Sequence, residues 1–176
     1  GRLRYPLVPV SPVDEFDALV CRAGSNDLNP FVRDEMQRRL FADCGQVSAR
    51  GTFAVLFLNG RYSGFYNPVE RIESDFLTLH HGGSESWDVL SQSGVLDGDR
   101  LSFNQLIAAA QTGTATDNAW YQAMTRRLDV TNFVDYLLVN AYGYNGDWPG
   151  NNWRAARQRR EGALWRYYIW DAEMSF

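Results

Sequence analysis

Residues 144–176 read YNGDWPGNNWRAARQRREGALWRYYIWDAEMSF, and the way this stretch folds back on itself organises the rest of the chain. Asn145 to Asn152 is crowded with Gly, Pro, Asn and Asp, which favour turns. Trp153 to Gln158 is strand-like, Arg159 to Gly162 is a polar turn, and Leu164 to Trp170 is a second strand that ends on Asp171 and Glu173. Pairing the strands as a hairpin brings the two ends together, so Asp147, Asn151 and Asn152 are expected beside Asp171 and Glu173. Carboxylates and a carboxamide facing one small volume form the oxygen set that a hard divalent ion such as magnesium takes. Phosphoryl transfer draws on the same set, because there the protein mainly positions groups and neutralises charge.

The spacing narrows this. Asp147 and Asn152 are separated as in the protein-kinase catalytic loop, where the Asp receives a hydroxyl proton and the Asn holds a metal. Asp171 then stands where a second, metal-binding Asp is required. Asn145-Gly146 replaces the His-Arg that precedes the first Asp of that motif, and Ala172-Glu173 replaces the Phe-Gly that follows the second. The plain alternative is an Asx-type turn followed by a surface hairpin.

At 176 residues the chain suits one sizeable core, or one and a half small lobes. No apolar run approaches the length of a membrane span, and no signal peptide is visible. A net charge of -4 argues against a general nucleic-acid binder. All 17 basic residues are Arg, so any phosphate-binding role usual for Lys passes to Arg. Two Cys and two scattered His make no zinc pattern; Cys21 and Cys44 are expected as unpaired, buried thiols.

Upstream, Phe16 to Arg22 is expected as a strand and AGSNDLNP as a polar turn, with Asn29 or Asp27 placed to cap the next helix and Pro30 near its first turn. Phe31 to Cys44 has a helical period with Phe31, Met36, Leu40 and Phe41 on one face, closed by Gly45. Arg38 and Arg39 are expected on its solvated side, and Arg33 toward a site. Phe53 to Leu58 is an apolar strand, Asn59-Gly60 a hairpin turn, and Tyr62 to Val69 the returning strand, with Gly64 permitting a bulge or close packing. Glu70 and Arg71 mark the exit into a helix on which Ile72, Phe76 and Leu79 share a face. In a two-lobed kinase that exit is the hinge beside the nucleotide; an exposed ion pair is the alternative. His80 and His81 suit the end of that helix. A short strand, an acidic turn and a helix from Phe103 to Gln111 follow, then helices over Trp120 to Leu128 and Val130 to Tyr142. The last is apolar enough to be buried, and it gives the Asp147 loop a rigid mount.

FDALVCRAGSND (16–27), FVRDEMQRRL (31–40), VLFLNGRYSGFYNPVERI (55–72) with SDFL (74–77), NGDWPGNNW (145–153) and WRYYIWDAEMSF (165–176), in this order and spacing, resemble the CotH kinase-like family. That family is named for a bacterial spore-coat protein and is found in many secreted or surface proteins. The resemblance implies an α+β, protein-kinase-like fold: a small antiparallel strand-rich N-lobe (about 1–72) and a helical C-lobe (about 73–176) carrying the catalytic-loop hairpin. It implies transfer of the ATP gamma-phosphate, with magnesium, to a Ser or Thr of a protein acceptor. On that basis Asp147 matches the catalytic Asp. Asn152 and Asp171 match the metal ligands, with Glu173 beside them, and Arg33, Glu70 and Arg71 fall in motifs on the nucleotide side. An extracellular or cell-surface location follows from the same analogy.

The chain departs from the family pattern in three places. A Lys-rich strand that usually precedes Gly1 is missing, the chain stops just after Asp171, and Glu70-Arg71 stands where Glu-Lys is usual. A single partial domain, incomplete at both ends, is expected. A non-catalytic pseudokinase or extracellular binding module is the alternative function. Metal-dependent hydrolysis of a phosphate or sugar ester would use the same acids.

Overall fold

The computed structural model describes residues 1–9, 11–23, 31–84, 86–114 and 116–176. Three antiparallel sheets and five helices make a mixed α/β fold. A short pair, β1 (Leu3–Arg4) and β2 (Glu15–Phe16), opens the chain. β3 (Leu19–Arg22), β4 (Ala54–Leu58) and β5 (Arg61–Glu70) form a sheet in the order β3-β5-β4. Its β4–β5 hairpin turns at Asn59 and Gly60, with φ of 50° and 77°, the left-handed pair that such a turn needs. Gly64 lies at a register shift in this hairpin, where Leu56 faces Gly64 and Phe57 faces Tyr62. The apolar side chains of β4 stay largely in solvent.

The larger sheet runs β7-β6-β8-β9, from β6 (Trp87–Ser91), β7 (Gly94–Asp97), β8 (Trp153–Gln158) and β9 (Arg166–Ile169). The region expected to be helical thus also holds a four-stranded sheet. β7 escaped the sequence reading because SGVLD is short and bounded by polar residues. Both faces of this sheet are covered, so β6 and most of β8 are buried. Val89, Ala156 and Tyr168 pack with Ile72 and with Phe76 and Leu77 of α2 (Ser74–His81). On the other face Leu90, Ala155 and Trp165 pack with Phe103 and Leu106 of α3 (Leu101–Ala110) and Met124 of α4 (Asn118–Thr125). The period-two alternation of a strand produces this division. α5 (Val130–Tyr142) lies against β9 and α1 (Arg33–Asp43). Asp129 caps α5 by accepting from Asn132 N at 3.1 Å, so the helix starts where its pattern indicated.

Several expectations are corrected. The polar turn with Asp27, Asn29 and Pro30 lies outside the described residues, and α1 begins after Val32, which makes no side-chain cap. Its buried face is Asp34, Glu35, Gln37, Arg38 and Phe41; Met36 is exposed. Apolar periodicity selected the wrong face because ion pairs, not hydrocarbon, fill most of this contact. Arg38 is buried, not solvated. It donates to the carbonyl of Ala49 at 2.9 Å and to Asn67 Oδ1 at 2.8 Å, and pairs with Asp34 and Glu35. Cys21 and Cys44 are unpaired but exposed. α5 is buried along one face only, and Val134, Leu138 and Tyr142 point outward. The end of α1 is as expected: Gly45 at φ 84° directs Gln46 N to the Phe41 carbonyl and its own N–H to Ala42, a Schellman closure.

His80 and His81 occupy the last turn of α2. His81 touches the Tyr168 hydroxyl at 2.9 Å. Burial, reinforced by Arg166 and His80 and opposed by Asp129, lowers its pKa to about 4. The ring is neutral in the folded state, whereas the unfolded state takes up a proton below about pH 6.5. Stability therefore declines as pH falls from about 6.5 toward 4, by about 1–2 kcal/mol after solvent screening. His81→Gln is expected to flatten the thermal midpoint over this window; an unchanged pH profile in the variant excludes His81 as the cause.

Candidate active site

The loop between α5 and β8 is braced from below and behind. Gly143, at the end of α5, lies against the side-chain amide of Gln37 of α1, so a larger residue would displace that amide and its bond to the Val139 carbonyl at 2.7 Å. Asn145 ties the loop to α5 twice, through Asn145 N to the Asn140 carbonyl at 3.2 Å and Asn145 Nδ2 to Asn140 Oδ1 at 3.0 Å. Trp148 Nε1 donates to the Tyr136 hydroxyl at 2.9 Å. Burial raises the Tyr136 phenol, with the Trp148 bond acting against it, so the anchor stays neutral. Trp148 and Pro149 also line an aromatic cavity of about 380 Å³ with Phe133, Tyr136, Trp153 and Tyr167.

The C-terminal strand end is stitched to this loop. Gly146 N donates to the Met174 carbonyl at 3.1 Å, and Phe176 N to the Gly143 carbonyl at 2.6 Å. The β8–β9 hairpin, with Trp153 opposite Ile169, brings its ends together as the sequence indicated. Asn152 sits at the junction. Its Nδ2 donates to Asp147 Oδ2 at 3.3 Å and to the Asp171 backbone carbonyl at 2.8 Å. Asn152 and Asp171 both have left-handed backbones, φ 56° and 57°, a conformation that Asn and Asp tolerate better than most side chains. Such positions, held by surrounding bonds, cluster at functional sites.

Asn152→Asp would remove both donor bonds and set a second carboxylate against Asp147 and a carbonyl oxygen. A loss of about 1–3 kcal/mol in stability is expected, read as a lower denaturation midpoint in urea. A midpoint equal to wild type excludes these bonds as the clasp.

The carboxylates of Asp171 and Glu173 meet a different partner. Both contact Nη2 of Arg22, at the end of β3, while Arg22 Nε lies 3.2 Å from Asp34 Oδ2. Asp34 also accepts from Ala172 N at 2.9 Å. Burial works against the Arg22 charge, but the three carboxylates outweigh it and its pKa rises. Burial alone would raise the Asp171 carboxyl; its hydrogen bond with Glu173 and the charges of Arg22 and Arg154 reverse this and hold it below the ordinary value. Among the described residues no three His, Cys, Asp or Glu side chains converge as a metal-binding group. The oxygen donors at hand are the exposed Asp147, Asn152, the partly exposed Asp171 and the buried Glu173.

Of the remaining expected residues, Glu70 and Arg71 bond to groups other than Asp147, Asn152 and Asp171. Glu70 is buried, and both its oxygens are engaged: Ser11 Oγ at 3.1 Å and His80 Nε2 at 2.9 Å on one, Arg50 N at 2.8 Å on the other. Arg71 is exposed and pairs with Glu73 at 2.7 Å, so the expected ion pair forms with a different carboxylate. Arg33 is half-buried at the start of α1. Asn151 is exposed and joins the loop through its backbone N–H to the Asp147 carbonyl at 2.8 Å. The sequence reading missed Arg22, Asp34 and Arg154. Nothing local marks Arg22, which becomes notable only as a strand arginine in a lysine-free chain. Arg154 lay inside the stretch read as strand. It is buried in β8, with its guanidinium 4.3 Å from the Trp170 ring centre. Burial lowers its pKa to about 10, with Arg71 adding to the effect and Glu73 and Asp171 opposing it.

No curated protein matches the chain. A family model described as CotH kinase protein matches residues 6–176, a span that includes the Asp147 loop, the hairpin and the Arg22 cluster. By that match the chain belongs to the CotH kinase protein family, and a kinase-like role follows in general terms.

Proposed function

We propose that the chain is the catalytic part of an ATP- and magnesium-dependent protein kinase that transfers the gamma-phosphate to a Ser or Thr of a secreted or surface protein. One observation carries this reading: the Asn152 amide joins the Asp147 carboxylate to the Asp171 backbone across the open end of the hairpin. Two enclosed atoms without hydrogen-bond partners, Asn145 Oδ1 and Arg154 Nε, support the fit. One suits a cation or its water, the other an oxyanion. Asn152, Asp171 and Glu173 would hold magnesium, which when bound offsets phosphate charge. Arg33 and Arg71 would add positive charge on the nucleotide side, and Glu70, fully engaged within the protein, would fix the strand end next to them.

In this reading Asp147, exposed at the loop, orients the acceptor hydroxyl and accepts its proton at the carboxylate. Asn152 Nδ2 fixes the rotamer of that carboxylate. The α5 mount and the Trp148–Tyr136 bond limit its excursions, which matters because positioning is most of the catalysis in phosphoryl transfer.

A second reading, a non-catalytic module, is favoured by Arg22, whose guanidinium already engages the Asp171 and Glu173 carboxylates. Radiolabelled-ATP transfer to a mixed protein acceptor, with magnesium, tests the kinase reading. Acceptor labelling supports it. A magnesium-dependent thermal shift with ATP but no labelling supports the non-catalytic module, and phosphate release without an acceptor supports hydrolysis. The absence of both binding and labelling overturns the nucleotide reading.

A further inference from the structure

A phosphate-binding cleft needs a cation, and this chain has no lysine. The arginines around the cluster differ in how fully they are engaged. Arg22 faces three carboxylates. Arg38 is bonded to Asp34, Glu35, Asn67 and a carbonyl. Arg71 is on the surface with Glu73. Arg154 is 7% exposed, and its Nε is enclosed with no hydrogen-bond partner. Among the described residues it forms no ion pair or side-chain hydrogen bond; its guanidinium packs on Trp170.

An N–H that loses water without gaining an acceptor is costly, and Nε is in that position, although Glu73 and Asp171 act favourably on the charge as a whole. Stacking on an indole recovers part of that and orients the planar fork, but leaves Nε without an acceptor. The fork suits two oxygens of one anion. Its place is also informative. Arg154 follows Asn152 by two residues and Trp170 immediately precedes Asp171, and the Arg154 charge acts on the Asp171 carboxyl. The guanidinium therefore lies close to the residues that would hold magnesium.

We propose that Arg154 receives the phosphate oxygens of the nucleotide and serves as the cation that a lysine supplies in other phosphate sites. The proposal rests on the nucleotide-binding reading above. It differs from a structural role in a measurable way: removing a stranded donor set leaves the fold as stable or more so, whereas removing a structural ion pair does not.

The test is calorimetric titration of wild type, Arg154→Leu and Arg154→Lys with inorganic triphosphate plus magnesium, and separately with adenosine, alongside thermal melts. Arg154→Leu is expected to lose at least tenfold in triphosphate affinity, with adenosine binding and thermal midpoint retained, and Arg154→Lys to recover most of the loss. Equal triphosphate affinity in wild type and Arg154→Leu overturns the proposal, as does a loss confined to adenosine. Should Arg154→Leu not fold, undiminished triphosphate binding by a folded Arg154→Gln overturns it equally. If folded wild type binds neither ATP nor triphosphate, the nucleotide reading itself falls, a result distinct from failure of Arg154 alone.

Discussion

Replacing Asp147 by alanine is expected to lower phosphate transfer about 10²–10⁴-fold, the range for loss of a positioned proton acceptor. The same change has little to disturb in the fold. Asp147 is exposed, and its carboxylate takes one long bond from Asn152, which keeps its shorter bond to the Asp171 carbonyl. A cost of about 0.5–1.5 kcal/mol follows, a few degrees in thermal midpoint for a chain of this size. Asp147→Asn sharpens the comparison. It retains an oxygen to accept from Asn152 but is far too weak a base, so it should match the alanine variant in rate and wild type in stability. Transfer by Asp147→Ala at the wild-type rate would remove Asp147 from the mechanism, however well the rest of the site held.

Arg22→Leu is expected to have the largest effect on stability. It removes the cation shared by Asp34, Asp171 and Glu173, two of which are almost fully buried, although Asp34 keeps Arg38 and the Ala172 N–H. Removing one partner from a buried charge network costs about 3–5 kcal/mol, on the order of 10 °C in thermal midpoint here. The effect depends on pH, with a sign that Asp171 determines. Its folded pKa lies below the ordinary value, so its stabilising contribution is present above the unfolded pKa of about 4 and is lost as pH falls through the folded value. The gap between wild type and variant should be widest near pH 7 and close under acid, as the carboxylates become neutral. Melts at pH 7 and at about pH 2, below the ordinary carboxylate range, measure this. A gap that persists at the lower pH would mean that Arg22 acts through packing rather than charge.

The polar part of the site was legible where chemistry and chain direction coincide. The run from Asn145 to Asp171 carries its own turn, two strands and a second turn, so the approach of Asn152 to Asp171 needs only a local hairpin. The Asn59-Gly60 turn, the Gly45 helix end and the limits of α5 were legible for the same reason: each is decided by backbone preferences within a few residues. The buried acids and arginines of α1 were not. An ion pair leaves no apolar period, so Asp34, Glu35 and Arg38 look like a solvated face until Arg22 and Asn67 arrive from distant strands.

The sequence alone determined the family, the hairpin and the proximity of Asp147, Asn152 and the Asp171 backbone, since local preference and spacing suffice for these. Only the tertiary structure decided which charges meet. It directed the Asp171 and Glu173 carboxylates onto Arg22, committed both oxygens of Glu70 to Ser11, His80 and the Arg50 backbone, and left the Arg154 Nε without an acceptor. Charge pairing depends on distance in space and on burial, and both arise from long-range packing that separation along the chain does not encode.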